Sequence, residues 1–320
     1  MNFFICMRQP ALPKNTYKRI IMKLSTNFGR FSMYGTDRGL ELCKNAGFDA
    51  IDFDLGCLVN DDNRFNGGDY LEIAENFRKK VEGMGLEINQ THAPFNFRTA
   101  QWKDPEYYEN VIYPRTVRSL EISAAFGAKI AVVHPLHHFT YHGHEEEIFE
   151  KNMEFYRSLI PYCREYGVKV GIENMYQMDY RRNHIILDTC GRKEEFIRYI
   201  DTLDSEYMVA TLDIGHVGLP LQDDEPWDFI RALGHDRLKS LHVHDNDYRT
   251  DSHIMPFWGK IDWLQVTKAL GEIDYDGDFT YEVGNHGNSP DAFLQTTINY
   301  FADIGRFLMG EIDRNRIAQK

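Results

Sequence analysis

The 320-residue chain has no apolar run near the ~18 residues that a membrane-spanning helix needs, which excludes a helical membrane protein. Its apolar start, Met1 to Met7, is broken at once by Arg8, Gln9 and Pro10, and no small-residue cleavage site follows. No signal peptide is therefore expected, and the location expected is cytoplasmic. Cysteine is scarce: Cys6, Cys43, Cys57, Cys163 and Cys190, an odd number without a Cys-x-x-Cys pair. That argues against a disulfide framework and against a thiolate zinc site. Positive charge is in deficit, with 36 Lys and Arg against 49 Asp and Glu and a formal net charge of −13. A basic face for phosphate neutralisation is not foreseen, so a nucleic-acid partner is disfavoured. The segment after the first strand-like run, Phe28-Gly29-Arg30-Phe31, has no glycine-rich phosphate turn, and no low-complexity tract appears.

What is present is a rhythm. Residues 1–21 mix prolines and basic residues without periodicity and suggest a poorly ordered extension. From Lys23 a short apolar run alternates with a longer segment of helical spacing. The strand candidates are 23–27, 50–55, 86–91, 130–134, 169–173, 208–213, 238–244 and 279–283. They are short, often β-branched and not strictly alternating, as parallel strands buried on both faces should be. Helix candidates lie between them at 36–46, 69–84, 105–126, 145–166, 191–203, 226–233, 261–271 and 289–308. Asp104-Pro105 gives the third a cap and a first-turn proline, and Gly47, Gly127 and Gly167 stop the first, third and fourth. Eight strands alternating with eight helices predict one (β/α)8 barrel over residues 22–320, in the α/β class.

In such a barrel the site lies where the strands end. Six consecutive strands end in a titratable group: His92, His134, Glu173, Asp213, His242 and Glu282, one βα unit apart each time. The barrel would bring them to one mouth. Clustered carboxylates repel, and burying them unpaired is costly. A divalent cation removes that cost, and Glu173, Asp213, His242 and Glu282 make a mixed O/N shell suited to Mn, Mg, Co or Zn. A second group follows strand 7, where Asp251 and His253 alternate and with His216 offer a further metal site. Phe95, Phe97, Trp102, Phe257 and Trp258 in the mouth loops suit stacking on sugar rings, and Arg98, Arg249 and Lys260 are candidates for an anion contact.

The segments G-I-E-N, L-D-I-G-H, L-H-V-H-D-N-D…D-S-H…F-W-G-K-I-D-W and Y-E-V, in that order, resemble the xylose isomerase-like barrel superfamily. It includes sugar phosphate isomerases and epimerases, ketose 3-epimerases, inosose dehydratases and endonuclease IV. In its epimerase branch the resemblance implies one metal on Glu173, Asp213, His242 and Glu282. The two glutamates would double as acid and base, and His216 and Arg249 would contact the substrate. In the endonuclease IV branch it implies up to three zinc ions on His92, His134, Glu173, Asp213, His216, His242, Asp251, His253 and Glu282. The expectation is a sugar, sugar phosphate or polyol isomerase or epimerase, with a dehydratase, a zinc phosphodiesterase and a non-catalytic sugar binder as alternatives. A homo-oligomer is a further expectation.

Overall fold

The computed structural model describes residues 22–318 apart from 96–99, 139, 221 and 285–288. The proposed extension 1–21, Phe97 and Arg98 lie outside the described residues. Eight strands form the barrel: β1 (Leu24–Asn27), β2 (Ala50–Asp54), β3 (Glu87–His92), β4 (Ile130–Val132), β5 (Lys169–Glu173), β6 (Met208–Asp213), β7 (Leu238–His242) and β8 (Phe279–Tyr281). All pair in parallel, in the order β8-β1-β2-β3-β4-β5-β6-β7. The ring closes through a bridge between Val243 and Tyr281. There Val243 N–H donates to Thr280 O at 2.9 Å, and Glu282 N–H donates to Val243 O at 3.0 Å.

Eight longer helices surround the strands: α1 (Thr36–Ala46), α2 (Tyr70–Gly83), α3 (Tyr113–Phe126), α4 (Glu145–Tyr166), α5 (Lys193–Leu203), α6 (Pro226–Arg237), α7 (Trp263–Glu272) and α8 (Asp291–Ala318). Gly47, Gly127 and Gly167 adopt the left-handed conformation after α1, α3 and α4, as a helix stop requires. Two expectations change. The helix foreseen over 105–126 is interrupted: Pro105–Tyr107 leads into a π-turn at Tyr108–Ile112 before α3 begins. Pro114 in the first turn of α3 has no N–H to continue the upstream ladder, so the register widens there. After β5 the chain also forms an antiparallel hairpin, Tyr176–Asp179 with Leu187–His184, closed at its base by Met175 N–H donating to Thr189 O at 3.0 Å.

Apolar residues fill the layer between strands and helices. Phe53, for example, packs on Phe77 and Phe126 with ring centroids 5.0 and 4.9 Å away. Truncating Phe126, fully enclosed there, to alanine should cost ~3–5 kcal/mol. The barrel interior is polar instead. Ser25 Oγ donates to Asn89 Oδ1 at 2.7 Å, Ser240 Oγ to Gln90 Oε1 at 2.6 Å and Gln90 Nε2 to Asp52 Oδ2 at 3.3 Å. No helix among the described residues is long and apolar enough to cross a membrane.

Candidate active site

The strand ends converge as the spacing required. His242 Nδ1 lies 2.9 Å from Glu173 Oε1 and 3.8 Å from Glu282 Oε2, so carboxylates from β5 and from just beyond β8 meet on one imidazole nitrogen. His134 Nε2 and His92 Nε2 approach the other oxygen of Glu173 at 2.7 and 3.5 Å. Glu282 Oε1 accepts from Asn27 Nδ2 at 3.3 Å.

Asp213 falls into an adjoining group rather than directly onto His242. Its Oδ1 is 3.0 Å from His244 Nε2, and its Oδ2 is 3.6 Å from His216 Nε2. Asp251 Oδ2 lies 3.1 Å from His253 Nε2 and 3.6 Å from His216 Nε2. His216 Nδ1 faces the Asn174 carbonyl at 2.9 Å, which leaves Nε2 for the two aspartates. His216 also bridges to the first group, with Nδ1 3.9 Å from Glu173 Oε1.

His244 is a member that the strand-end reading passed over. Its signal was in the sequence, because in Leu241-His242-Val243-His244 two histidines alternate about a valine and so share one side. The ring is fully buried and stacks on His253 at 4.0 Å. Gly215 makes this possible, since a Cβ there would stand 2.0 Å from the His244 ring. The glycine of L-D-I-G-H thus makes room for an imidazole. Beyond it, the Asp245 carboxylate accepts from the backbone N–H groups of Phe257, Gly259 and Ile261 and from Trp263 Nε1, at 2.8–3.2 Å. That carboxylate pins the loop carrying Asp251 and His253.

Within the mouth, carboxylates and imidazoles shift one another. Burial alone would raise the Glu173 carboxyl, but His242 and His134 outweigh it and hold it well below the usual range. Burial likewise opposes ionisation of Asp213, yet His216 and His244 hold it down. Asp251 is lowered too, with His216 and His253 overcoming its burial. The imidazoles move the other way. Against a burial cost that would lower them, Glu173 lifts His92 to about 9, Glu282 and Glu173 lift His242 to about 10, and Asp251 lifts His253 to about 9. Protons on these rings therefore stand where cationic charge is demanded. His244 Nδ1 and Asp251 Oδ1 are buried without a hydrogen-bond partner. The donor set of carboxylate oxygens and imidazole nitrogens fits a hard-to-borderline divalent ion.

The mouth opens into a cavity of about 1010 Å³. His92, His134, Glu173, His216, Asp251, His253 and Glu282 line its floor. Its wall includes Phe95, His137 and the hairpin residues Tyr176, Gln177 and Met178. Gln177 straps the hairpin to the loop after β4: Nε2 donates to His137 Nε2 at 3.0 Å and His138 O at 3.1 Å, and Oε1 accepts from Tyr141 N–H at 3.1 Å. Arg30 is the only arginine or lysine among the described lining residues.

Arg249, Lys260, Trp102, Phe257 and Trp258 do not line the cavity. Trp258 stands half exposed against Tyr300 and Phe301 of α8, and Phe257 lies beside Phe307. Trp102 donates Nε1 to Glu147 at 2.9 Å and meets the His138 ring edge-on.

Fold and mouth together define a closed (β/α)8 barrel whose strand ends form a ring of carboxylates and imidazoles. The profile of the xylose isomerase-like TIM barrel family matches residues 40–303, and the chain belongs to that family. An uncharacterized protein of Methanocaldococcus jannaschii is 27% identical over 201 residues, 61% of this chain and 64% of that protein, so the match spans less than two-thirds of that relative's length. A D-psicose 3-epimerase of Enterocloster bolteae is 23% identical over 238 residues, 72% of this chain and 71% of that enzyme. The crystal structure of the IOLI protein with a bound zinc atom shares the fold, with a TM-score of 0.68 and 17% identity over 92% of this chain and 99% of that one.

Proposed function

We propose that the chain is a divalent-metal-dependent isomerase or epimerase of a sugar or sugar derivative. Glu173, Asp213, His242 and Glu282 would hold one cation (Mn, Mg, Co or Zn), and Glu173 and Glu282 would form the proton-transfer pair. The observation that carries this reading is the meeting of both glutamate carboxylates at His242 Nδ1, beneath an open cavity. The likeness to a D-psicose 3-epimerase supports a ketose as substrate, and the zinc of the IOLI protein supports a metal.

The bound cation would supply Lewis-acid polarisation of the substrate carbonyl and the neighbouring hydroxyl. Glu173, kept ionised by His242 and His134, suits the base that takes the proton next to the carbonyl. Glu282, steadied by Asn27 and 15% exposed against 2% for Glu173, would return the proton. Phe95 and Tyr176, in the cavity wall, would offer apolar faces to the sugar.

Glu282→Gln tests the pair. The variant should fold like the parent and lose ~10²–10⁴-fold in turnover, the usual range for one acid–base group. The readout is exchange of deuterium from D₂O into a panel of ketoses, followed by NMR. Undiminished exchange would sink the assignment.

A second reading has its own support. All nine residues of the trinuclear zinc pattern stand around this mouth, in two adjoining groups. Three metal ions per chain and cleavage of abasic-site DNA would establish it. The lining argues for the sugar, since Asp54, Glu173, Asp251 and Glu282 outnumber Arg30 where a phosphodiester backbone would run.

A further inference from the structure

Beneath the proposed ligands lies a carboxylate with no other evident task. Asp52, on β2, is fully buried inside the barrel. Its Oδ2 accepts one hydrogen bond, from Gln90 Nε2, and its Oδ1 has none. Across the barrel, His242 Nε2 is also buried without a hydrogen-bond partner. The two face each other, with Asp52 Oδ2 3.9 Å from His242 Nε2. The opposite nitrogen of the same ring, Nδ1, is the one that meets Glu173 and Glu282.

We infer that Asp52 is a positioning residue for His242. Its carboxylate would hold the proton on Nε2 and leave the Nδ1 lone pair, on the side of Glu173 and Glu282, free for the cation. A metal-ligating imidazole commonly gives its other N–H to a carboxylate, which fixes the tautomer and raises the basicity of the ligand. A buried carboxylate that still has an unsatisfied oxygen, beside a buried imidazole nitrogen that has no hydrogen-bond partner, is the arrangement this requires, since leaving such groups unsatisfied costs ~1–3 kcal/mol. The next residues inward fix the direction of Asp52 itself. Ser240 Oγ donates to Gln90 Oε1 at 2.6 Å, so the Gln90 amide must turn its NH₂ toward Asp52. Ser240, Gln90, Asp52 and His242 thus form one polar column that starts in the barrel interior and ends at the proposed metal. None of Ser240, Gln90 and Asp52 lines the cavity, so none of them meets substrate.

The inference rests on the metal reading above, and the experiment separates the two. Calorimetric titration with Mn²⁺ and Co²⁺ is run on the metal-free wild type, Asp52→Asn and Glu173→Gln. Asparagine keeps the volume and the Gln90 contact and removes the charge. The expected result is a 10–100-fold weaker affinity in Asp52→Asn, the range typical for loss of such a partner, with a changed Co²⁺ visible spectrum. Affinity within twofold of wild type in Asp52→Asn, alongside lost binding in Glu173→Gln, overturns the role of Asp52 and leaves the metal reading standing. No binding by the wild type removes both. If Asp52→Asn does not fold, Asp52→Ser, which leaves room for a water, carries the same expectations.

Discussion

The two ends of the barrel are both polar, and they settle their charges in opposite ways. At the N-terminal end, Lys23 pairs with Glu87, and Lys239 Nζ lies 2.9 Å from Asp276. Asp278 accepts from the backbone N–H of Lys23 at 2.9 Å and from Asn89 Nδ2 at 3.2 Å. Fixed cations and amides meet fixed carboxylates, and nothing further is demanded. At the C-terminal mouth, the charged groups that carboxylates meet are imidazoles, whose charge comes and goes with pH, and Asp251 Oδ1 and His244 Nδ1 stay without hydrogen-bond partners. The base is finished as folded, whereas the mouth, under the proposed function, would take an added positive charge. That division matches the general one in such barrels, where the bottom face serves stability and the top face serves chemistry.

The comparison is broken or sharpened by substitution at each end. The largest effect belongs to the mouth, where Glu282→Gln should remove nearly all turnover while Asp278→Ala at the base leaves turnover within a few-fold. Chelation comes next. Stripping divalent ions should abolish activity, and restoring one at 100 times its dissociation constant should raise stability by ~2.7 kcal/mol, visible as a higher Tm. Glu173→Gln should lose that rise, and Asp278→Ala should keep it. Asp278→Ala itself should cost ~1–3 kcal/mol in denaturant unfolding, because it strands the Lys23 N–H and the Asn89 amide. A stable, inactive Asp278→Ala would reverse the division of labour.

A pH series separates the ends more finely. His92, His242 and His253 titrate near 9, 10 and 9 when folded, against an ordinary 6.5. Their stabilising protons are bound in full below pH 6.5 and are lost as pH climbs through 9 to 10. Metal-free protein should therefore lose stability over that window, and metal-loaded protein much less, since the cation replaces the protons. The smallest effect is expected at Arg249. Exposed, and engaged only through its backbone N–H to Asp247 Oδ1, it should tolerate alanine within ~0.5 kcal/mol and with unchanged turnover.

Much of this was legible in the chain. The barrel was legible in the strand-and-helix rhythm, because short strand-like runs alternate with longer segments of helical spacing eight times over. The residues closing β3 to β8 were legible because a barrel turns a regular sequence interval into a common location. His244 could have been found by alternation. Asp52 could not: in Ala50-Ile51-Asp52-Phe53-Asp54 it is one of two aspartates and looks like any polar strand residue until the opposite wall shows His242. Trp258 read as a stacking residue because it sits in a mouth loop by sequence. The Asp245 anchor fixes that loop's course, and Trp258 stands against α8 outside the cavity. The hairpin after β5 was missed because its strands are only four residues each and carry Asp179 and His184 at the turn end.

That hairpin has an evolutionary consequence. Its two ends are joined by the Met175–Thr189 hydrogen bond, and it contributes wall but no member of the ring of carboxylates and imidazoles. A segment closed at its own base can be replaced as a cassette without disturbing the register of the barrel beneath it. Under the proposed function, selectivity for one small molecule over another can be altered in this segment while the ring beneath it keeps its residues.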